Sequence, residues 1–386
     1  MTVPRGALET ARDAGVPLVD VPAAHAEVAD EVRAGFDRVC ASGAFILGPD
    51  VQAFEEEFAR FTGTAHCVGV ASGTDALELA LRAAGVGPGD EVVIPVNTFV
   101  ATAQAVARAG ARPVFADCDR AHLLLDPAGV ERRLTRLTRA IVPVHLYGQM
   151  APMDELHGIA ERNGLVVIED FAQAQGARQA GRSAGAWSLA AGTSFYPGKN
   201  LGAAGDAGAV VTDDPHLAET VRAMRNYGSP RKYEHPVPGF NSRLDTLQAV
   251  VLRAKLKRLA GWNALRRRAA ERYDRLLAGL EAFRPVRTRD GNEPVFHLYV
   301  GRVAGGASDR ERVLQALHRE NVGAGVHYPT PLHLVGAYAS HGHRRGEFPA
   351  AEEAADRIIS LPLFPQITAG QQERVADALR RALGCS

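Results

Sequence analysis

The chain has 386 residues, with 44 Lys and Arg against 44 Asp and Glu, and this zero formal net charge argues against a protein built to coat a polyanion. At 46% hydrophobic and 23% charged residues it can fill a sizeable core and lies far from the composition of disordered chains. Single cores stop growing at about 250–300 residues, so a large unit and a smaller one are expected.

Met1 to Pro17 carries Glu9 and Asp13 and no apolar run of signal-peptide length, and no later stretch offers the ~20 uninterrupted apolar residues of a membrane span. The expectation is a cytoplasmic protein with no membrane or nucleic-acid partner. Cys40, Cys67, Cys118 and Cys385 are far apart, so buried reduced thiols are expected rather than a disulfide framework or a metal site.

From Ala65 onward, short apolar runs alternate with amphipathic stretches. Residues 66–71, 91–96, 112–116, 140–145 and 165–168 read as buried strands, with helical spacing over 74–84, 100–108 and 153–162 between them. Strands at 192–196 and 208–212 bring the count to about seven, the pattern of an α/β domain with a mostly parallel sheet covered by helices. Residues 242–280 lack proline and place Leu244, Leu247, Val251, Leu252, Leu256 and Leu259 at helical spacing, which predicts a long helix broken near Gly261. Strands at 295–303 and 322–328 and helices at 309–320, 350–359 and 369–383 complete a small α+β unit. The boundaries expected are an N-terminal segment to residue 30, a large domain over 31–250, and a connecting helix with a small domain over 251–386.

The chemistry concentrates at strand ends. In the run from Gly192 to Gly208, Lys199 sits among glycines, but Asn200 follows it where a P-loop requires Ser or Thr. Alone, Lys199 reads as a loop lysine; partly desolvated, its amine is suited to a Schiff base with an aldehyde cofactor. The strand Leu165–Ile168 runs into Glu169 and Asp170, a carboxylate that either caps the next helix or holds a pyridine nitrogen cationic, with Gln173 in reach of a ring hydroxyl. Ser72, Gly73 and Thr74 join a strand to a helix whose N-terminus suits a phosphate dianion, and Phe99 follows the next strand where it can stack on a planar ring. Each signal has an ordinary structural reading. Together they converge, because ligands of open α/β sheets bind outside the carboxyl ends of strands.

Over about residues 17–383 the chain resembles the nucleotide-sugar aminotransferases, the DegT/StrS-like group of fold-type-I pyridoxal-phosphate enzymes. The resemblance rests on Ser72-Gly-Thr-Asp-Ala-Leu, Gly89-Asp-Glu-Val-Val-Ile-Pro, Val144-His-Leu-Tyr-Gly, Glu169-Asp-Phe-Ala-Gln, Ser194-Phe-Tyr-Pro-Gly-Lys-Asn-Leu-Gly, Gly239-Phe-Asn-Ser-Arg-Leu-Asp and Gly325-Val-His-Tyr-Pro. It implies a large domain with a mixed, mostly parallel seven-stranded sheet and a small C-terminal domain. It also implies that Lys199 makes the covalent link to pyridoxal 5'-phosphate and serves as general acid and base. Asp170 pairs with the pyridine nitrogen, Gln173 meets the ring hydroxyl, Phe99 stacks on the ring, and Gly73, Thr74 and Ser194 hold the phosphate. Asn241 reaches the phosphate of a neighbouring subunit's cofactor, making a homodimer with shared sites, while Tyr196, His327 and Tyr328 line the sugar pocket. Gln175 stands where the family commonly has His, which puts a hydrogen-bonding role there in doubt.

Arg231 and Lys232 lie in a loop positioned to hold a diphosphate, whereas the run of bases from Arg253 to Arg268 reads as a solvated helix face. His341 and His343 read as a solvated loop rather than a metal site. The implied reaction moves an amino group from glutamate or glutamine to a nucleotide-linked keto sugar, first a thymidine-diphosphate-linked 6-deoxy-keto-hexose with the ketone at C3 or C4. A cyclitol ketone as substrate, or a fold relative acting as a sensor without turnover, are the alternatives.

Overall fold

The computed structural model describes residues 15–231 and 233–385; the leading residues and Lys232 lie outside them. Three helices, α1 (Val21–Ala26), α2 (Ala29–Ser42) and α3 (Pro49–Thr62), precede the first strand. Then come β1 (His66–Val70), α4 (Gly73–Ala83), β2 (Glu91–Pro95), α5 (Val100–Arg108), β3 (Arg112–Ala116), α6 (Pro127–Glu131), β4 (Thr138–Ile141), α7 (Met153–Asn163) and β5 (Val166–Asp170). A two-residue hairpin, β6 (Arg178–Gln179) and β7 (Arg182–Ser183), leads to β8 (Ala190–Ser194), β9 (Gly208–Thr212) and α8 (Pro215–Met224).

Seven of these strands form one sheet in the order β1-β9-β8-β5-β4-β2-β3. Only β9 opposes the others, pairing antiparallel with both β1 and β8. Successive residues alternate between two cores, as a sheet covered on both faces requires: Val92, Ile94, Ile168 and Val210 pack on one side, Val93, Val167, Ala209 and Val211 on the other. The expected strand over 140–145 stops at Ile141, because Pro143 has no N–H for the ladder. Pairing resumes for one residue where Val144 bridges Asp170.

Helix α9 (Thr246–Leu276) runs 31 residues without a break, a length of ~46 Å at ~1.5 Å per residue. Gly261 does not interrupt it: an exposed glycine costs only about 1 kcal/mol in a helix, and buried Leu259 and Trp262 on either side anchor the turn. Most of its bases are not a solvated face, although Arg268 is exposed. Arg253 pairs with Asp50 and Glu57, Lys257 and Arg258 pair with Glu31, and Lys255 and Arg266 are buried.

Beyond α9 lie β10 (Phe283–Pro285), β11 (Asn292–Glu293), β12 (Tyr299–Val303), α10 (Ala307–Arg319), α11 (Pro349–Arg357), β13 (Ile358–Leu361) and α12 (Ala369–Leu383). The sheet β10-β12-β13 shares a third core with the last turns of α9 through Ala269, Ala270 and Tyr273. Two expectations fail here. The helix placed over 350–359 ends at Arg357, and the apolar run after it is strand β13. Residues 322–328 form no strand: they touch other chain at Val322 with Val16 and Gly325 with Ser360, then turn so that His327 and Tyr328 face the large sheet. Of the cysteines, Cys67 and Cys118 are buried as expected, whereas Cys40 is exposed and Cys385 half-buried. Among the described residues no helix is long and apolar enough to cross a membrane.

Candidate active site

The carboxyl ends of the parallel strands open onto one cavity of about 400 Å³. Ser72, Gly73 and Thr74 enter it after β1, Phe99 after β2, Asp170 and Gln173 at the end of β5, Ser194 at the end of β8, and Tyr196 and Lys199 after it; His327 and Tyr328 close it from the C-terminal third.

Helix α4 points its N-terminus into this space. Ser72 Oγ accepts from Asp75 N–H at 3.1 Å, while the N–H groups of Gly73 and Thr74, at the first two helical positions, have no intrahelical carbonyl to bond. A Cβ on Gly73 would sit 2.5 Å from Ser194 Cβ, so glycine is what lets the helix N-terminus meet the end of β8.

Asp170 is clamped by its backbone and its side chain. Its N–H donates to Pro143 O and its carbonyl accepts from His145 N–H, both at 2.9 Å. Oδ2 accepts from Thr102 Oγ1 at 2.8 Å and Oδ1 from Ala172 N–H at 3.2 Å. Burial pushes the Asp170 carboxyl above its ordinary range, against these hydrogen bonds and the charge of Lys199. Beneath it, fully buried His145 accepts from Ala151 N–H at Nδ1 (3.1 Å), so the ring proton is on Nε2 and is donated to Glu169 Oε2 at 2.8 Å. Burial pushes the Glu169 carboxyl up, but the bonds from His145, Gly185 and Ser188 more than offset this and hold it below its usual range.

Lys199 is carried on a loop fastened to α9: Lys255 Nζ donates to Gly202 O at 2.8 Å, and Asn200 Nδ2 donates to Asn263 Oδ1 at 3.0 Å. The Lys199 amine itself makes no hydrogen bond to any described residue. Burial lowers it to about 8, with the Asp170 charge opposing.

Gln173 is oriented from both sides, accepting from Tyr147 N–H at 2.7 Å and donating to the Tyr328 hydroxyl at 3.0 Å. The Phe99 ring lies 5.4 Å from that of Tyr328 and is 51% exposed to the cavity, and Tyr196 is exposed at the mouth. His327 Nδ1 lies 2.8 Å from Ser360 Oγ; burial, then the charge of Lys199, lowers this ring to about 4, so it is neutral at ordinary pH.

Four residues of the site escape sequence reading. Thr102 lies inside α5, Tyr147 inside the Val144–Gly148 phrase, and Asp206 among the glycines after Lys199. His297 is buried and donates from Nδ1 to Asn200 Oδ1 at 3.1 Å. Its signal, a histidine in an apolar run, is indistinguishable from an ordinary core position. Gln175 does have a hydrogen-bonding role: fully buried, its Nε2 lies 2.9 Å from both Thr193 Oγ1 and Ser194 O, supporting the strand end that leads to Lys199. Asn241 and Arg231 are not part of this cavity. Both are exposed; Asn241 pairs with Asn226 across a backbone bridge, and Arg231 lies in an open cleft with Tyr227, Tyr233 and His235.

These residues fit a pyridine aldehyde phosphate. The helix N-terminus, where Gly73 leaves room, could take the phosphate, an amine of depressed basicity with no hydrogen bond among the described residues could meet the aldehyde, and a buried carboxylate with no ion pair among the described residues suits a protonated ring nitrogen.

Known proteins give the same answer. A transaminase named for dTDP-3-amino-3,4,6-trideoxy-alpha-D-glucose, from Streptomyces venezuelae, is 47% identical over 365 residues, 95% of each chain. The crystal structure of S. venezuelae DesV in complex with a ketimine intermediate superposes with a TM-score of 0.94 at 46% identity, covering 97% of this chain and 100% of that one. The structure of NtdA from Bacillus subtilis with bound cofactor PMP has a TM-score of 0.89 at 30% identity, covering 96% and 86%. The model of the DegT/DnrJ/EryC1/StrS aminotransferase family matches residues 26–380, so the chain belongs to that family and is a pyridoxal-phosphate-dependent aminotransferase.

Proposed function

We propose that this chain transfers an amino group to the keto carbon, at C3, of a thymidine-diphosphate-linked deoxyhexose, in the cytoplasm, with glutamate or glutamine as donor. The observation that carries the reading is the Lys199 amine, unpartnered and lowered to about 8 by burial, in one cavity with the clamped carboxylate of Asp170. The relative from S. venezuelae, named for a 3-amino sugar, supports the substrate class and the position.

When bound, pyridoxal phosphate supplies the electron sink that acidifies the α-carbon of an amino donor. The chain supplies the rest. Asp170 would hold the ring nitrogen protonated, and the N-terminus of α4 with Ser194 would fix the phosphate. Phe99 would cover the ring face and Gln173 would meet its hydroxyl. Lys199 Nζ would take the proton from the donor carbon and return it to the cofactor carbon that bears the transferred nitrogen, and would move it the opposite way when the keto sugar accepts the amine. Tyr196, His327 and Tyr328 form the sugar wall, with His327 neutral and so a hydrogen-bonding partner rather than an acid.

Asn241 and Arg231, exposed and outside this chain's own cavity, support a site completed by a second copy, in which Asn241 meets the partner's cofactor phosphate and Arg231 the substrate diphosphate. Stopped-flow mixing of holoenzyme with glutamate or glutamine should shift the cofactor absorbance. Mass analysis of products from nucleotide-linked 3-keto and 4-keto deoxyhexoses and from inososes then identifies the acceptor. Silence with every amino donor overturns transamination in favour of a sensor, and amination of an inosose alone overturns the nucleotide sugar.

A further inference from the structure

A second concave site, of about 450 Å³, lies on the small sheet away from the lysine cavity. Its walls carry five arginines: Arg120, Arg284, Arg287, Arg302 and Arg357. The register of β10 with β12 sets Arg284 directly opposite Arg302, an antiparallel cross-strand pairing of like charges that is unfavourable unless an anion lies between them. The local carboxylates do not supply it. Glu353 is held by Arg120 and by Arg357 NH1, the latter at 2.8 Å, and Glu281 makes no ion pair among the described residues.

Arg302 donates to the carbonyl of Arg120 and makes no ion pair with a carboxylate among the described residues, and the side chains of Arg284 and Arg287 make no hydrogen bond or ion pair to any described residue. Five cations against two anions leave an excess of three in one hollow, in a chain whose total charge is zero. Burial holds the Arg302 guanidinium below its ordinary range, with Arg357 adding to the effect and Cys118, Tyr147 and Asp119 opposing it.

We propose that this hollow is a binding site for a diphosphate group, distinct from the catalytic cavity. Guanidinium forks match the paired oxygens of a phosphate, several of them converging can span two phosphoryl groups, and the volume is in the range of small-molecule sites, roughly 300–1,000 Å³. The shared chemistry covers free pyrophosphate and the diphosphate of a nucleotide. The proposal does not depend on the substrate assigned to the catalytic cavity.

The test is calorimetric titration of the holoenzyme with pyrophosphate and, separately, with thymidine diphosphate, for the wild type and an Arg284→Ala/Arg287→Ala variant. Both side chains are exposed and unpartnered, so the variant should fold. The expected result is a saturable event, weakened by added salt, whose affinity drops about tenfold or more in the variant for both probes. A loss confined to thymidine diphosphate assigns the site to nucleotides. Equal binding by wild type and variant, or no saturable binding at millimolar pyrophosphate, overturns the proposal. Should the double variant fail to fold, hydrogen exchange on the wild-type holoenzyme decides: pyrophosphate must protect β10 and β12, and their unchanged exchange overturns it equally.

Discussion

Thr102 and Asp170 are 68 residues apart in the chain, yet the threonine hydroxyl donates to Asp170 Oδ2 at 2.8 Å at the buried base of the cavity. A charged acceptor buried with few donors depends strongly on each one. Thr102→Val removes the bond while keeping the shape, and should lower kcat/KM about tenfold or more, in line with ~1.5–3 kcal/mol for a hydrogen bond to a charged group. Thr102→Ser should recover most of the loss. Steady-state kinetics on both variants at saturating cofactor decides; an unimpaired valine variant would mean that the Asp170 side chain needs no donor beyond the Ala172 N–H.

The depressed basicity of Lys199 makes a prediction about pH. In the cofactor-free chain the amine is protonated below about 8 and neutral above it, whereas a free lysine would require about 10.5. The rate of covalent cofactor uptake by apo-enzyme should therefore rise with pH and level off above about 8. The linked stability follows the same sign: the folded state binds fewer protons than the unfolded between about 8 and 10.5, so apo-enzyme gains stability across that window and carries the penalty below it. Stopped-flow uptake and apo-enzyme melts measure the two effects. An uptake rate still climbing at pH 10 would contradict the assigned environment.

Gly73→Ala introduces a Cβ 2.5 Å from Ser194 Cβ and 3.0 Å from its Cα, so either the helix N-terminus or the end of β8 must give way. Since these two elements form the phosphate cup, the expected effect is weaker cofactor retention by about tenfold or more, with the global fold intact. Equilibrium dialysis against pyridoxal phosphate, alongside far-ultraviolet dichroism, tests this. Wild-type retention would show that the cup lies elsewhere.

The shared-site reading makes a prediction that only mixing can test. Lys199→Ala and Asn241→Ala are each impaired as homodimers, but a dimer of one with the other has one site containing both defects and one containing neither. Randomised equal mixtures should recover about a quarter of wild-type activity, since half of the dimers are mixed and each has one sound site of two. Activity no higher than the mean of the two parents would place Asn241 outside a shared site.

The strands of the large sheet were legible because each apolar run ended at Gly, Pro or Asp, and Lys199, Asp170, Gly73 and Phe99 were legible because they follow those ends. Thr102 was not, since its signature is a single hydroxyl one turn into an apolar helix. Strand β13 read as the tail of a helix because a buried run of four residues, Ile358 to Leu361, has no period of its own. The opposite error arose at 322–328, where a β-branched, glycine-broken run met the β13 edge at one residue and was then drawn off by the cavity. Charge pairing was the least legible of all, because the carboxylates that neutralise the bases of α9 come from residues 31 to 57, some two hundred positions earlier.

Helix α9 also ties two regions into one mechanical unit. Its middle turns hold the Lys199 loop through Lys255 and Asn263, and its last turns are built into the core of the small sheet. The reactive amine is thus aligned by a shaft whose far end is seated in the C-terminal third of the chain. Cutting the protein after α9 would leave every residue of the large sheet in place and still let the lysine swing out of line.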